Sequence, residues 1–495
     1  MIKAKISLLI LLPVIVAAIL IFQRTSSAQE PRGEPTNAID ELREELKRNN
    51  MPDLSGVVVS LPKAAKAHIP YTPRLAELAA LSSVATTAAS ATLTSTSDIR
   101  VTTHPAAQNE TSIALDLNSA AAIGGANDYR DGDAKCGLYQ SDDSGSTWPS
   151  QTMLLPNPSQ FNAAGDPSVS YAGSSFAFYG CLGFHRQVGR SGIYVYRRDS
   201  NGNISNPTQV VFSINTSTFH DKPYIAANPS VSKAYVSWTR FDKGKAARIA
   251  VAGSADNGTT FNSPSPKVIS DFSSNQGSSP AVASNGTVYV AWQNYNIQRV
   301  LVDRSTNGGS SWGSDRVVAN ISPIASPLPG TNFRTNSFPS MGVSPTNPDR
   351  IYVTWADYRS GNADILFARC DYSPTFSCTS PVIVHPTLST DQFFPWLSVA
   401  PDGSISIVYY SRIDTTTSKM DVYVAHSRND GVSFSNTLIT DVPTDQNQGW
   451  GDFIGDYNGV SASNSQISPL WTGGILDGTS NNQDVFTDKI SVTNL

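Results

Sequence analysis

The sequence predicts a single all-β ring, a β-propeller of seven four-stranded blades, with six blades as the alternative count. Three observations lead there. First, a four-strand unit recurs. The residues that open its first strand are Thr111, Pro167, Pro223, Pro280, Pro339, Pro395 and Phe453, at intervals of 56, 56, 57, 59, 56 and 58 residues. A repeat of that length and make-up is what a propeller blade requires. Second, the composition is polar and turn-rich, with 15% charged residues, 34 Gly and 31 Pro. This argues against helical bundles and coiled coils. Third, the seventh unit ends without an outer strand, while a spare strand, SDIRVTTH (97–104), stands just before the first. Pairing the two would close the ring and remove its open edges.

The elements follow in order. Lys3 and Lys5 precede an apolar run from Ile6 to Phe22, and Ser26-Ser27-Ala28 has the form of a cleavage site. Residues 1–28 therefore read as an export signal, or as an N-terminal membrane anchor if uncleaved. Either reading puts the rest outside the cytoplasm: secreted, periplasmic or anchored at the cell surface. Residues 29–96 read as a spacer without chemistry of its own. AIDELREELKRN (38–49) has a charged helical pattern, 74–82 suggests a second short helix, and SSVATTAASATLTSTS (82–97) is a flexible tract. Residues 97–495 are the propeller. Each unit runs as alternating strand, turn, apolar strand ending in an aromatic, polar loop and third strand, as in FPSMGVSPTNPDRIYVTWADYRSGNADILFARC from Phe338. A fourth strand such as QVVFSI follows. The net charge of −5 excludes a basic nucleic-acid footprint.

The loops after third strands carry a shared box. Ser141-Asp142-Asp143-Ser144-Gly145-Ser146-Thr147-Trp148 and Ser254-Ala255-Asp256-Asn257-Gly258-Thr259-Thr260-Phe261 are full copies, and the stretches around Asn307 and Asn429 are degenerate ones. An Asp or Asn can bond its own turn's amides, Gly permits φ > 0, and the aromatic plugs the space beside the turn. These boxes resemble the Asp-box, or BNR repeat, of the sialidase superfamily, in its bacterial exported form. The resemblance implies a propeller in which Asp143, Asp256, Asn307 and Asn429 are structural and lie on the face opposite the active site. GDFIGDYNG (451–459) resembles a last-blade motif of bacterial BNR proteins, with Asp456 closing the ring. Sialidases of this group use an arginine triad, a Tyr nucleophile helped by a Glu, and an Asp acid. Their first arginine lies in an Arg-Ile-Pro motif, and they have six blades. This chain has no Arg-Ile-Pro, and its seven Glu are at 30, 34, 41, 44, 45, 77 and 110. No Glu is available from a middle blade, so the family's catalytic set is not carried over.

Four cysteines in an exported chain favour bridges, with three pairings open. The expected set is Cys370–Cys378, stapling the fifth blade where its box is missing, and Cys136–Cys181, linking blades 1 and 2. No Cys/His spacing suggests zinc. No cofactor is expected. Asp128, Asp131 and Asp133 in NDYRDGD are candidates for a structural calcium, although their spacing differs from an EF-hand loop.

Loops between blades, and loops joining second to third strands, share one face around the channel mouth. They collect Glu110, Asp166, His220, Asp221, Lys222, Arg334, Trp450 and Asp452, and also His185, Arg240, Arg359 and Arg412. Asp166 and Asp221, or Glu110 with an Asp, are candidate acid and base if their surroundings part their pKa values. Otherwise they bond the amides of the tight turns between blades. Arg240, Arg359 and Arg412 fall at nearly equivalent positions and could clamp a carboxylate or sulfate, or each pair with an acid nearby. His220 and His185 are candidate bases for a lyase. Three functions stay open: a glycan-active enzyme of sialidase-like fold binding, or also cleaving, an acidic glycan; a non-catalytic glycan- or protein-binding scaffold; and a propeller polysaccharide lyase. In each case the expected partner is an extracellular glycan or ligand, and the chain a monomer.

Overall fold

The computed structural model describes residues 38–49, 51–60 and 92–493, apart from 174–175, 229–232, 246, 387, 446–452 and 475–482. The expected export segment and the helix at 74–82 lie outside the described residues. Among those described, no helix is long and apolar enough to cross a membrane. Seven antiparallel sheets stand around one channel. Blade 1 is the meander Gln108–Leu115, Ala122–Asp128, Lys135–Ser141 and Ser150–Leu154. Blades 2 to 6 repeat it from first strands Ala163–Tyr171, Thr218–Asn228, Asn275–Val282, Ser340–Val343 and Gln392–Val399. Blade 7 contains Gly459–Ala462, Gln466–Gly474, Gln483–Thr487 and Ile490–Thr493. Ile99–Arg100 adds beside Gln483–Thr487, with Ile99 opposite Thr487. The closing strand expected within 97–104 is therefore in place. Thr92–Thr94 also pairs, with Ser491–Thr493, so the sheet reaches further upstream than the sequence suggested.

The apolar second strands explain why blades stack. Trp238, Trp292, Trp355 and Trp471 sit on those strands and are fully buried. Trp238 packs in one cluster with Ile193, Val195 and Val210 of blade 2. Trp292 shares one with Ile249 and Val251 of blade 3, and Trp471 one with Val408 and Tyr410 of blade 6. Each such ring removes ~150–250 Å² from water, so contact between sheets holds the ring together.

Serines on the first strands tie neighbouring blades around the channel. Ser112 Oγ accepts the Val169 amide at 3.1 Å, Ser168 that of Ile225 at 2.9 Å, Ser279 that of Met341 at 3.0 Å, and Ser340 that of Leu397 at 2.9 Å. Ser398 accepts from Ala462 at 3.1 Å, and Ser461 from Leu115 at 3.0 Å, across the closure. Between blades 3 and 4 the equivalent position is Tyr224, which instead meets Trp396 and Tyr457 in the channel, with ring centroids 5.2 and 5.1 Å apart. Beyond Tyr224 and Trp396 lies a cavity of about 330 Å³ at the far end of the channel.

The boxed turns share one bond set. Ser141 Oγ accepts from the Gly145 amide at 2.9 Å, and Asp143 Oδ1 from Thr147 N at 2.9 Å. Asp256, Asn307 and Asn429 repeat this with Thr260, Ser311 and Ser433. Both expected disulfides are present. Cys370 faces Cys378 across the outer hairpin of blade 5. Cys136 and Cys181 join blades 1 and 2 from within strands.

Candidate functional site at the channel mouth

At the end of the channel away from the boxed turns, the first strands open with a bulge. Pairing skips between Asn109 and Ser112, Gly165 and Ser168, Asp221 and Tyr224, Gln276 and Ser279, and Phe393 and Trp396. The left-handed residues in these bulges are Glu110 (φ 63°), Asp166 (53°), Lys222 (50°), Gly277 (69°) and Phe394 (52°). A side chain at positive φ is uncommon, and a bulge re-aims the residue that it carries. In three consecutive blades that residue is charged, and the three meet.

Lys222 Nζ pairs with Glu110 Oε1 at 3.3 Å and with Asp456 of blade 7, all three side chains being fully buried. Arg334 Nε holds the second Asp456 oxygen at 2.8 Å. Glu110 accepts from Asn127 at 2.5 Å and from the Asp456 amide at 3.2 Å. Asp166, also fully buried, accepts the Lys222 amide at 3.3 Å. With Asp221, four carboxyls thus face two cations. Burial pushes Glu110 well above the usual carboxylate range, against the pull of Lys222. It pushes Asp166 up to about 7 and Asp221 to about 6, again against Lys222. Asp456 is held low because Arg334 and Lys222 outweigh its burial. Lys222 is raised, its burial outweighed by Asp456 and Glu110. The site therefore sets Glu110 and Asp166, both raised by burial, beside an ion-paired Lys222–Asp456–Arg334 chain.

The segment read as a spacer covers this cluster. The helix α1 (Ala38–Arg48) carries Ile39, Leu42 and Leu46, which are buried in one cluster with Phe184, Phe219, Phe241 and Phe453. A chain turn then leads to α2, the single turn Gly56–Val59. Between them the backbone meets the site. Ser55 N donates to Asp221 Oδ2 at 2.7 Å, and Gly56 N to Asp456 Oδ2 at 3.0 Å. Gln276 bonds the Asp53 carbonyl and Arg334 the Leu54 carbonyl, both at 2.9 Å. Arg186 bonds the Val58 carbonyl at 2.9 Å and the Val57 carbonyl at 3.2 Å.

Of the residues picked from sequence, Glu110, Asp166, Asp221, Lys222 and Arg334 come together. His220 stands apart: Trp238 Nε1 donates to its Nδ1 at 2.9 Å, and its Nε2 meets Ser213 Oγ at 3.0 Å. Burial lowers His220 to about 3, so it stays neutral. The three equivalent arginines each bond an acid of their own blade. Arg240 pairs with Asp242 at 3.0 Å, Arg359 with Asp357 at 2.7 Å, and the buried Arg412 with Asp391 at 2.6 Å. Arg240 and Arg359 keep 39% and 41% of their side chains exposed, which leaves both reachable from solvent. Asp128 and Asp133 pair with Arg130 and Arg186. Among the described residues no group of three His, Cys, Asp or Glu side chains is placed to hold a metal. Trp450 and Asp452 lie outside the described residues. Sequence reasoning passed over Asn127 and Gln276, whose partners lie on other segments. It also passed over residues 51–58, although GVVV within a polar stretch was an available signal.

No known family and no curated protein matches the chain. Similar solved structures include a protein of unknown function from Dyadobacter fermentans, at 11% identity and TM-score 0.47, covering 81% of this chain and 99% of that one. A Hadza microbial sialidase is similar at 14% identity and TM-score 0.43, covering 77% of this chain and 65% of that one. An α-L-arabinofuranosidase from Fusarium graminearum, solved with arabinobiose, is similar at 11% identity and TM-score 0.44, covering 81% and 98%.

Proposed function

We propose that this is an exported propeller that binds an acidic glycan at the channel mouth. The observation that carries the reading is the convergence of Glu110, Asp166, Lys222, Arg334 and Asp456 at one end of the channel, three of them held at positive φ. Strained backbone at a buried charged cluster marks a site where geometry is kept for a purpose. Rigid strands present hydroxyl-binding carboxyls and amides there with little ordering cost. The half-exposed Arg240 and Arg359 supply cations for carboxylate or sulfate groups.

Binding is favoured over rapid cleavage. Glu110 and Asp166 are both fully buried and both raised by that burial, whereas a glycosidase acid and base need surroundings that part their pKa values. Tyr224 and Tyr457 stand near Glu110, but burial raises both phenols well above their ordinary value, which opposes their use as nucleophiles. The double variant Arg240→Ala/Arg359→Ala should weaken binding of sialylated, uronate or sulfated glycans, most steeply at low salt, with the fold intact. A generic sialoside should show little turnover. Rapid sialoside hydrolysis would contradict the binding emphasis, and absence of binding to all three glycan classes, both by the wild type and by a chain whose mouth is uncovered, would sink the proposal. A second reading, a peptide- or protein-binding scaffold, is favoured by one observation: a stretch of backbone already occupies the mouth.

A further inference from the structure

We infer that residues 38–59 are an intramolecular ligand of the channel mouth, and that an external ligand reaches Glu110 and Asp166 only when this segment has left. The inference rests on the mouth being the functional site and adds how that site is regulated.

The contacts are those of a bound peptide. Six polar bonds hold residues 53–58, and every one uses the segment's main chain: two amides reach Asp221 and Asp456, and four carbonyls receive Gln276, Arg334 and Arg186. Asp221, Asp456 and Arg334 also belong to the charged cluster, so the segment and any other ligand of those groups exclude one another. The fit is close. Leu54, Ser55 and Val57 are fully buried. A Cβ added to Gly165 would lie 2.6 Å from Val57, and one added to Gly56 would lie 1.7 Å from the Phe453 ring. Small residues on both partners therefore permit the approach. A bare tether would show neither matched glycines nor ring partners for four successive main-chain positions. On its outer side α1 is held by Ala38 N on the Gln187 carbonyl at 3.0 Å and by the Gly244 amide on Glu45 Oε1 at 2.5 Å, with Arg43 paired to Asp53 within the segment itself. An occupant held mainly by a short apolar and main-chain grip can leave without disturbing the blades.

The test uses the full chain. In the wild type, hydrogen exchange should find the amides of Ser55 and Gly56 protected. Exchange at the unprotected rate would overturn the inference without any variant. Leu54→Asp/Val57→Asp should speed exchange of those amides at least about 100-fold, since two fully buried apolar side chains are lost, while the amides of Lys233–Asp242 stay protected. Gly56→Val, which adds bulk against Phe453 without charge, should act in the same direction if the double variant fails to fold. A synthetic peptide of residues 38–60 should then bind either variant but not the wild type. Failure to bind a variant whose ring is intact overturns the inference. Heparin and sialyllactose, as glycan probes, should bind the variants at least about tenfold more tightly than the wild type. Equal binding to both would sink the plug and leave the glycan reading standing. Peptide complementation with no glycan bound in any form would keep the plug and sink that reading.

Discussion

Blades 1 to 3 and blades 4, 6 and 7 solve the same backbone problem with different residues. Each first strand of blades 1 to 4 and 6 opens on a bulge whose extra residue has positive φ, and in blade 7 Gly455 has φ 101° just before the first strand. In blades 4 and 7 the residue is glycine, for which that conformation costs little. In blade 6 it is Phe394, which is buried in the apolar core. In blades 1 to 3 it is Glu110, Asp166 and Lys222, and these residues meet in a buried charged cluster. The contrast separates geometry that the ring needs from chemistry that the mouth needs. A turn alone is served by glycine; an acid or a lysine forced into it is kept for its head group.

The largest break in that contrast should come from Lys222→Met. It leaves Glu110 buried without a cation and Asp456 with Arg334 alone, and should cost ~3–5 kcal/mol, whereas Phe394→Leu, at the matching position of blade 6, should cost less than ~1.5 kcal/mol. Urea unfolding of the two variants reads the difference, and equal losses would mean that the cluster is no more demanding than the core. Next is pH. Asp166 is raised by burial from 3.8 to about 7, so the folded state binds a proton that the unfolded state releases. Its contribution is fully present below pH 3.8 and is lost as pH rises through 7, a swing on the order of 4 kcal/mol. Asp166→Asn should flatten the stability profile across that window; an unchanged slope would remove Asp166 as its source. Gly277→Ala should then cost ~1–3 kcal/mol, because φ is 69° and the new Cβ would lie 2.3 Å from Phe338. No loss in melting temperature would show that the bulge relaxes freely. The smallest effect is expected from Ser340→Ala, which removes one interblade bond at ~1 kcal/mol. A loss several times larger would make the serine ring, and not the stacked aromatics, the main tie between blades.

Much of this was legible because it repeats. The period, the apolar strands ending in Trp238, Trp292, Trp355 and Trp471, and the turns around Asp143 and Asp256 all depend on contacts within a unit, and seven copies make such a pattern visible. The closing strand and both disulfides followed from what the seventh blade lacked and from cysteines spaced against the blade frame. The bridged cysteines are those of an extracellular-type protein.

What only the tertiary structure decided is which residues meet across the ring. Glu110, Asp166, Lys222 and Asp456 come from four blades, and up to 346 positions separate them. Their side chains meet because bulges turn the chain into one channel, a direction that residue type does not encode. Arg240, Arg359 and Arg412 show the converse: equal positions in sequence, yet each bonds the acid its own blade offers. Residues 38–48 revealed a helix but not its seat, because the apolar face of Ile39, Leu42 and Leu46 does not specify its partner. That partner exists only after the ring has closed and brought Phe184, Phe219, Phe241 and Phe453 to one rim.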